Sequence, residues 1–239
     1  MNETMRVLMN RKSVRVFEDR AIAPEVKDAI LAAAMRAPTA GNAMFYSVID
    51  VTDPAIKDRL AVTCDHQPFI AEAKMVLIFC ADYHRWMRKF ELAGCGEGHI
   101  PAPGLSDLIL STNDAVIAAH TACVAAESFG IGSCYIGDVI ENFEIHKDLL
   151  NLPPHVAPVS MLVFGYPTEQ QKTRPQPGRF AKSSIVFENG YRELSEAELL
   201  DMMPNDRTAA FYNRKYVSDF AIEMKRSMQV MFENWNQSI

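Results

Sequence analysis

The sequence predicts an α+β fold in one domain, and three observations carry that reading. Helical and strand patterns mix along the chain without a strict βαβ rhythm, so a doubly wound parallel sheet is disfavoured. The runs Lys74–Ala81 and Val156–Gly165 are nearly all apolar, as in strands buried on both faces. One alanine-rich helical pattern, from Ser106 to Phe129, is apolar almost all round, as in a central buried helix. With 239 residues, 49% of them hydrophobic, the chain can bury a full core, and disorder is not the default.

The elements follow in order. Residues 3–9 place Met5, Leu8 and Met9 on one helical face. Pro24 opens a helix that runs to Met35, with Glu25 in its first turn and Pro38 ending it. Ala37–Asn42 is a loop by composition. Residues 45–52 are aromatic and β-branched, hence a strand, and Pro54–Val62 is a short helix. Lys74–Ala81 is the second strand. Gly94–Gly104, with four glycines and two prolines, is a loop. The long helix follows, with Ser106 as N-cap and Gly130 just past its end. Gly132–Ile136 is a third strand, residues 141–150 a helix stopped by Pro153, and Val156–Gly165 the fourth strand. Thr168–Gly178 reads as an extended basic loop. Ser195 caps a helix to Met203, and Lys215–Trp235 is one amphipathic helix with Phe220, Met224, Met228, Met231 and Phe232 on one side.

Charge and composition exclude several classes. The net charge of −6 disfavours a general polyanion binder, which needs a basic face. Five cysteines occur without a CxxC spacing, so zinc and dithiol readings gain nothing. The odd count and the absence of a signal-like start suit a soluble protein of the reducing cytoplasm. No window reaches the roughly 20 apolar residues of a membrane span. No GxGxxG after a strand and no GxxxxGK[ST] is present, so neither a Rossmann site nor a P-loop is supported.

Three constellations could carry chemistry. Arg11, Lys12, Ser13 and Arg15 put three cations and a hydroxyl within five residues of an acidic chain. Arginine offers phosphate a bidentate fork, and in an extended segment Arg11, Ser13 and Arg15 point the same way. Taken alone, such a segment is more often a solvated charged loop, and a phosphorylation or nucleic-acid patch fits it too. Pro38-Thr39-Ala40-Gly41-Asn42 combines small residues with two polar ones; alone it is only a turn. Gly130-Ile131-Gly132-Ser133-Cys134-Tyr135-Ile136-Gly137 joins the long helix to a strand, with glycines that permit positive φ and close backbone approach.

RKSVRxF, APTAGN, AAESFGIGSCYIG and the later GYP…RF…IVFENGY occur in an order and spacing that resembles the FMN-dependent nitroreductases, in their larger NADPH-dependent nitroreductase and flavin reductase branch. The resemblance covers roughly residues 3–191. It implies a mixed, mostly antiparallel central sheet flanked by helices, a long central helix at a homodimer interface, and residues 192–239 as a helical extension wrapping the partner. It assigns Arg11, Ser13 and Arg15 to the FMN phosphate and ribityl chain, with Lys12 beside the ring. Pro38, Thr39, Ala40 and Asn42 would reach FMN from the partner subunit. Gln67 would hydrogen-bond the isoalloxazine edge, and Tyr135, Ile136 and Gly137 would pack near the ring. Arg179 would meet the phosphate, with Lys172 or Arg174 substituting for a lysine that Pro177 displaces. Met44 stands where many relatives have glutamine, and it cannot donate a hydrogen bond.

The implied activity passes hydride from NAD(P)H to FMN N5 and on to an organic acceptor, such as a nitroaromatic, quinone or flavin, by ping-pong kinetics. FMN carries the redox chemistry, so no catalytic side chain is required. Hydrogen bonds from Gln67 and Lys12 to the pyrimidine end would stabilise the reduced ring. Arg207, Arg214 and Lys215 are candidates for a 2′-phosphate, or simply a solvated helix start. His66 is better read as a surface histidine than as part of the site. A flavin-storing or flavin-sensing module, and a relative specialised for dehalogenation, are the alternatives. No metal, nucleic acid or membrane is implied.

Overall fold

A computed structural model describes residues 1–237. Four antiparallel strands form the sheet: β1 (Tyr46–Asp50), β2 (Met75–Asp82), β3 (Gly132–Ile136) and β4 (Val156–Gly165), in the order β1-β2-β4-β3. β2 is buried along its whole length. The expected mixed character reduces to one parallel bridge, between Ser13 and Ser133 at the free edge of β3. Phe17 pairs with Pro167 where the chain leaves β4.

The helices in chain order are α1 (Glu3–Asn10), α2 (Pro24–Met35), α3 (Pro54–Thr63), α4 (Phe69–Glu72), α5 (His84–Leu92), α6 (Leu105–Ser128), α7 (Phe143–Leu149), α8 (Glu169–Thr173), α9 (Glu196–Met202), α10 (Asn205–Lys215) and α11 (Asp219–Trp235). One sheet face packs Leu77, Phe79, Leu162 and Phe164 against α2 and α6. The other packs Val76, Ile78, Met161 and Val163 against α3 and α4. Trp235, wholly buried, closes one end together with Leu108 and Met231.

The structure corrects several boundaries. α6 starts at Leu105, not after Ser106: the Gly104 N–H donates to Asp107 Oδ2 at 2.8 Å, so a carboxylate inside the first turn supplies the cap. Gly130 does end it, at φ +71°. α6 is not buried all round. Its alanines face the sheet, while Leu105, Ile109, Leu110, Val116 and Ile117 are exposed. It is also long and apolar enough to cross a membrane by length and composition, contrary to the sequence expectation. The 168–178 segment is not extended throughout, because α8 forms a turn of helix inside it. The final helix, expected from Lys215, starts at Asp219, where Ser218 accepts from the Ala221 N–H at 3.3 Å, and α10, ending at Lys215, is a separate helix before it. The helix expected from residue 141 starts at Phe143, after a 3-10 turn over Asp138–Ile140 and a left-handed Asn142.

Candidate functional site

The segment after α1 is fixed by sterics from its buried side. Val14 is 3% exposed. A Cβ on Gly132 would lie 2.5 Å from Val14 Cγ2, and one on Gly165 would lie 2.6 Å from Phe17 Cδ1. Gly132 and Gly165 face each other across β3 and β4, so two bare backbone positions form adjoining dimples for Val14 and Phe17. The Val14 N–H donates to Ser133 O at 2.9 Å. With Val14 turned inward, Ser13 and Arg15 are turned outward. The close approach that Gly132 permits is thus to this chain's own Val14, not to a ligand.

The 168–178 segment straps the same stretch. Lys12 Nζ donates to the carbonyls of Lys172, at 2.7 Å, and Arg174. Arg174 donates to Ser13 O, and Gln176 Nε2 to the carbonyls of Met9 and Arg11 at 2.8 and 2.9 Å. Lys12 is therefore a tether here. Lys172 pairs with Glu18 and Glu169, while Arg174 lies in the cluster itself. The Nε atoms of Arg11 and Arg174 and the Tyr135 hydroxyl are buried without a partner. Orphaned donors beside a cationic cluster fit an anionic ligand with oxygen acceptors. Burial pushes the Cys134 thiol up, opposed by Arg15, Ser13 and Arg11. Burial also raises Glu127, against Arg11 and Lys12.

Gln67 joins this surface from the turn between α3 and α4. The Arg15 guanidinium sits 5.9 Å from the Phe69 ring centre. Gln67 Nε2 donates to Cys64 O at 2.8 Å and to Asp138 Oδ2 at 3.2 Å, just beyond Gly137. Both of these acceptors of the Gln67 amide nitrogen lie within the chain. Arg11, Lys12, Ser13, Arg15, Gln67, Tyr135, Ile136 and Gly137 thus gather at the β3 side of the sheet.

The other expected residues lie elsewhere. Pro38, Thr39, Ala40 and Asn42 precede β1, the opposite edge strand. With strands roughly 4.8 Å apart, β1 itself lies four spacings, about 19 Å, from the Ser13 segment. This loop has its own anchor. Asp114, 2% exposed on α6, accepts from the Ala40 N–H at 2.9 Å and the Phe45 N–H at 3.1 Å. Trp86 Nε1 donates to Ala43 O at 2.9 Å. Gly41, Asn42 and Met44 all adopt left-handed φ, and Met44 packs its side chain on the core. Arg179 is exposed and bonds to the carbonyls of Pro177 and Gly178. Arg207, Arg214 and Lys215 are exposed on α10, and His66 is exposed beside Gln67.

The nitroreductase family model matches residues 8–166, two thirds of the chain. The chain belongs to the nitroreductase family. It is 31% identical to "FMN reductase (NADPH)" of Bacillus subtilis over 217 residues, covering 90% of this chain and 85% of that one. It is 32% identical to "Oxygen-insensitive NADPH nitroreductase" of Salmonella typhimurium over 197 residues, covering 82% and 78%. Among solved structures, B. megaterium NfrA2 superposes with a TM-score of 0.81 at 27% identity, covering 95% and 98%.

Within this nitroreductase, sequence reasoning missed Asp114, Trp86, Asp138 and Glu141. Asp114 did carry a signal, a carboxylate in the middle of an otherwise apolar helix. Glu141 is buried, and its carboxyl is pushed up to about 7 by burial, then by Asp138 and Asp65.

Proposed function

We propose that this nitroreductase is an FMN-dependent oxidoreductase that takes hydride from NAD(P)H and passes reducing equivalents to a small organic acceptor, with each site completed by two chains. One observation carries the two-chain reading. The Arg11–Arg15 cluster and the Pro38–Asn42 loop occupy opposite edges of one sheet, so a ligand meeting both must lie between copies. The exposed apolar side of α6, with Leu105, Ile109, Val116 and Ile117, supplies a face for that pairing.

Arg11, Ser13, Arg15 and Arg174 would hold the phosphate and ribityl chain, and the buried orphan Nε atoms would find oxygen partners there. Arg179, on its exposed segment, would join them by movement of residues 175–181. Tyr135, Ile136 and Gly137 would line the ring, with Gln67 at its edge. Pro38, Thr39, Ala40 and Asn42 would close the site from the partner, held in shape by Asp114. FMN, when bound, supplies the hydride chemistry that no side chain of the chain offers. Donor and acceptor would use the same space in turn, which gives ping-pong kinetics. Nitroaromatics, quinones and free flavins fit a flat space over a ring.

The single domain would extend a shorter arm than residues 192–239. α10 buries none of its residues, whereas α11 packs on its own chain through Met231 and Trp235. We place residues 192–217 against the partner. Anaerobic addition of NADPH or NADH to the purified, flavin-loaded protein tests the activity. Bleaching of the yellow absorbance is expected, and colour that persists with both nicotinamides rejects it.

A further inference from the structure

The turn that carries Gln67 is unusual in its backbone. Asp65 and His66, neither of them glycine, adopt φ of +60° and +51° in succession. Non-glycine residues enter this region at a cost and persist where the surroundings over-determine them. Here the surroundings do. The Gln67 N–H returns to Ala61 O at 2.8 Å, Asn142 Nδ2 donates to Thr63 O at 3.0 Å, and His146 Nε2 meets Thr63 Oγ1 at 2.8 Å. The end of α3 is locked from several sides, and the lock fixes where Gln67 points.

The amide orientation is then forced by its partners. Cys64 offers a carbonyl and Asp138 a carboxylate oxygen, so a flipped amide would set oxygen against oxygen at both. Nε2 has two hydrogens, and both are engaged. Only Oε1 is left for a ligand. We propose that Asp138 is the positioning residue that fixes Gln67 as a hydrogen-bond acceptor, so that the site selects a ring edge bearing an imide N–H. The inference rests on the flavin reading above, in which Gln67 meets the edge of the ring. The pyrimidine edge of an oxidised flavin carries one such donor, at N3. Gln67 then contributes recognition of that edge and not stabilisation of the charge that reduction places on the ring.

The test is a fluorescence titration of flavin-stripped protein with FMN and with 3-methyl-FMN, in which a methyl group replaces the imide hydrogen. The wild type should bind 3-methyl-FMN at least tenfold more weakly than FMN. Gln67→Leu removes the acceptor and should bind both alike. Asp138→Ala leaves the Cys64 carbonyl as the one restraint on Nε2, so the discrimination should shrink, to about threefold. Asp138→Asn retains a side-chain carbonyl for Nε2 and should restore it, which a general loss of folding would not do. Equal wild-type affinity for the two flavins overturns the inference while leaving the proposed function standing. Discrimination that persists in Gln67→Leu overturns it as well, by assigning the exclusion to bulk elsewhere. Discrimination undiminished in Asp138→Ala removes Asp138 from the role. Failure of the wild type to bind FMN at all rejects the proposed function, and this inference with it.

Discussion

The two edges of the sheet hold their loops by opposite means. At the β3 edge, Val14 and Phe17 fit over Gly132 and Gly165, so shape fixes the Arg11–Arg15 segment. At the β1 edge, Asp114 accepts two backbone N–H groups, so a buried charge fixes the Pro38–Asn42 loop. Apolar fit tolerates no added volume but is indifferent to salt and pH. A buried carboxylate tolerates volume but not loss of its oxygens. Both loops are irregular, and each is only as well placed as its anchor.

The sharpest way to break the comparison is to damage the edges in separate chains. On the two-chain reading, the Arg15→Ala and Asp114→Ala proteins should each lose flavin-dependent turnover. Mixed after unfolding and refolding together, they should regain it, because each mixed dimer carries one intact site. No recovery in the mixture means that both edges serve a site within one chain. The next effect is on affinity. Arg15→Ala removes a charge-assisted contact of about 1.5–3 kcal/mol, so FMN should bind roughly ten- to hundredfold more weakly by fluorescence titration. Unchanged affinity would remove Arg15 from the phosphate site.

Gly132→Ala forces a methyl group onto Val14, an overpacking that costs about 1–3 kcal/mol. Denaturant unfolding should show that loss, with FMN affinity falling alongside it; lost stability with unaltered affinity would uncouple the dimples from the site. The smallest effect concerns pH. Glu141 titrates near 7 in the fold, above the 4.5 of a free carboxyl, so the folded chain holds the extra proton between those values. Stability must then fall as pH rises through that window and level off above it. Glu141→Gln should flatten the slope in unfolding curves taken from pH 4.5 to 8. An unaltered slope would show that another group is responsible.

Local signals in the sequence reached far into this fold. Pro24–Met35, Gly132–Ile136 and Val156–Gly165 match the structure residue for residue, because proline, glycine and apolar runs mark ends locally. α5 was missed: His84–Leu92 is dense in charge, and its helix depends on Trp86 and Met87 packing on distant elements. α10 was missed as well, since Asn205–Lys215 buries none of its residues, and the expected Lys215–Trp235 helix is α11, begun four residues later at Asp219. At the site, alternation over Arg11–Arg15 applied only if the segment was extended, and Val14, buried between Ser13 and an exposed Arg15, fits that condition. Asp114 and Asp138 were not, since their partners Ala40 and Gln67 lie 74 and 71 residues away in the chain.

The paired dimples also act as a ruler. A strand that slips by one residue exchanges its two faces. Slippage here would turn Val14 outward and press the Ser13 hydroxyl or a guanidinium stem into the hollow above Gly132. Neither fits a hollow shaped for an isopropyl group. Two hollows at a fixed separation, one for Val14 and one for Phe17, accept a single alignment. The chain therefore measures out the spacing of the three groups proposed to hold the phosphate before any ligand arrives, and on that reading a one-residue insertion between Val14 and Phe17 would disarm the site without touching a charge.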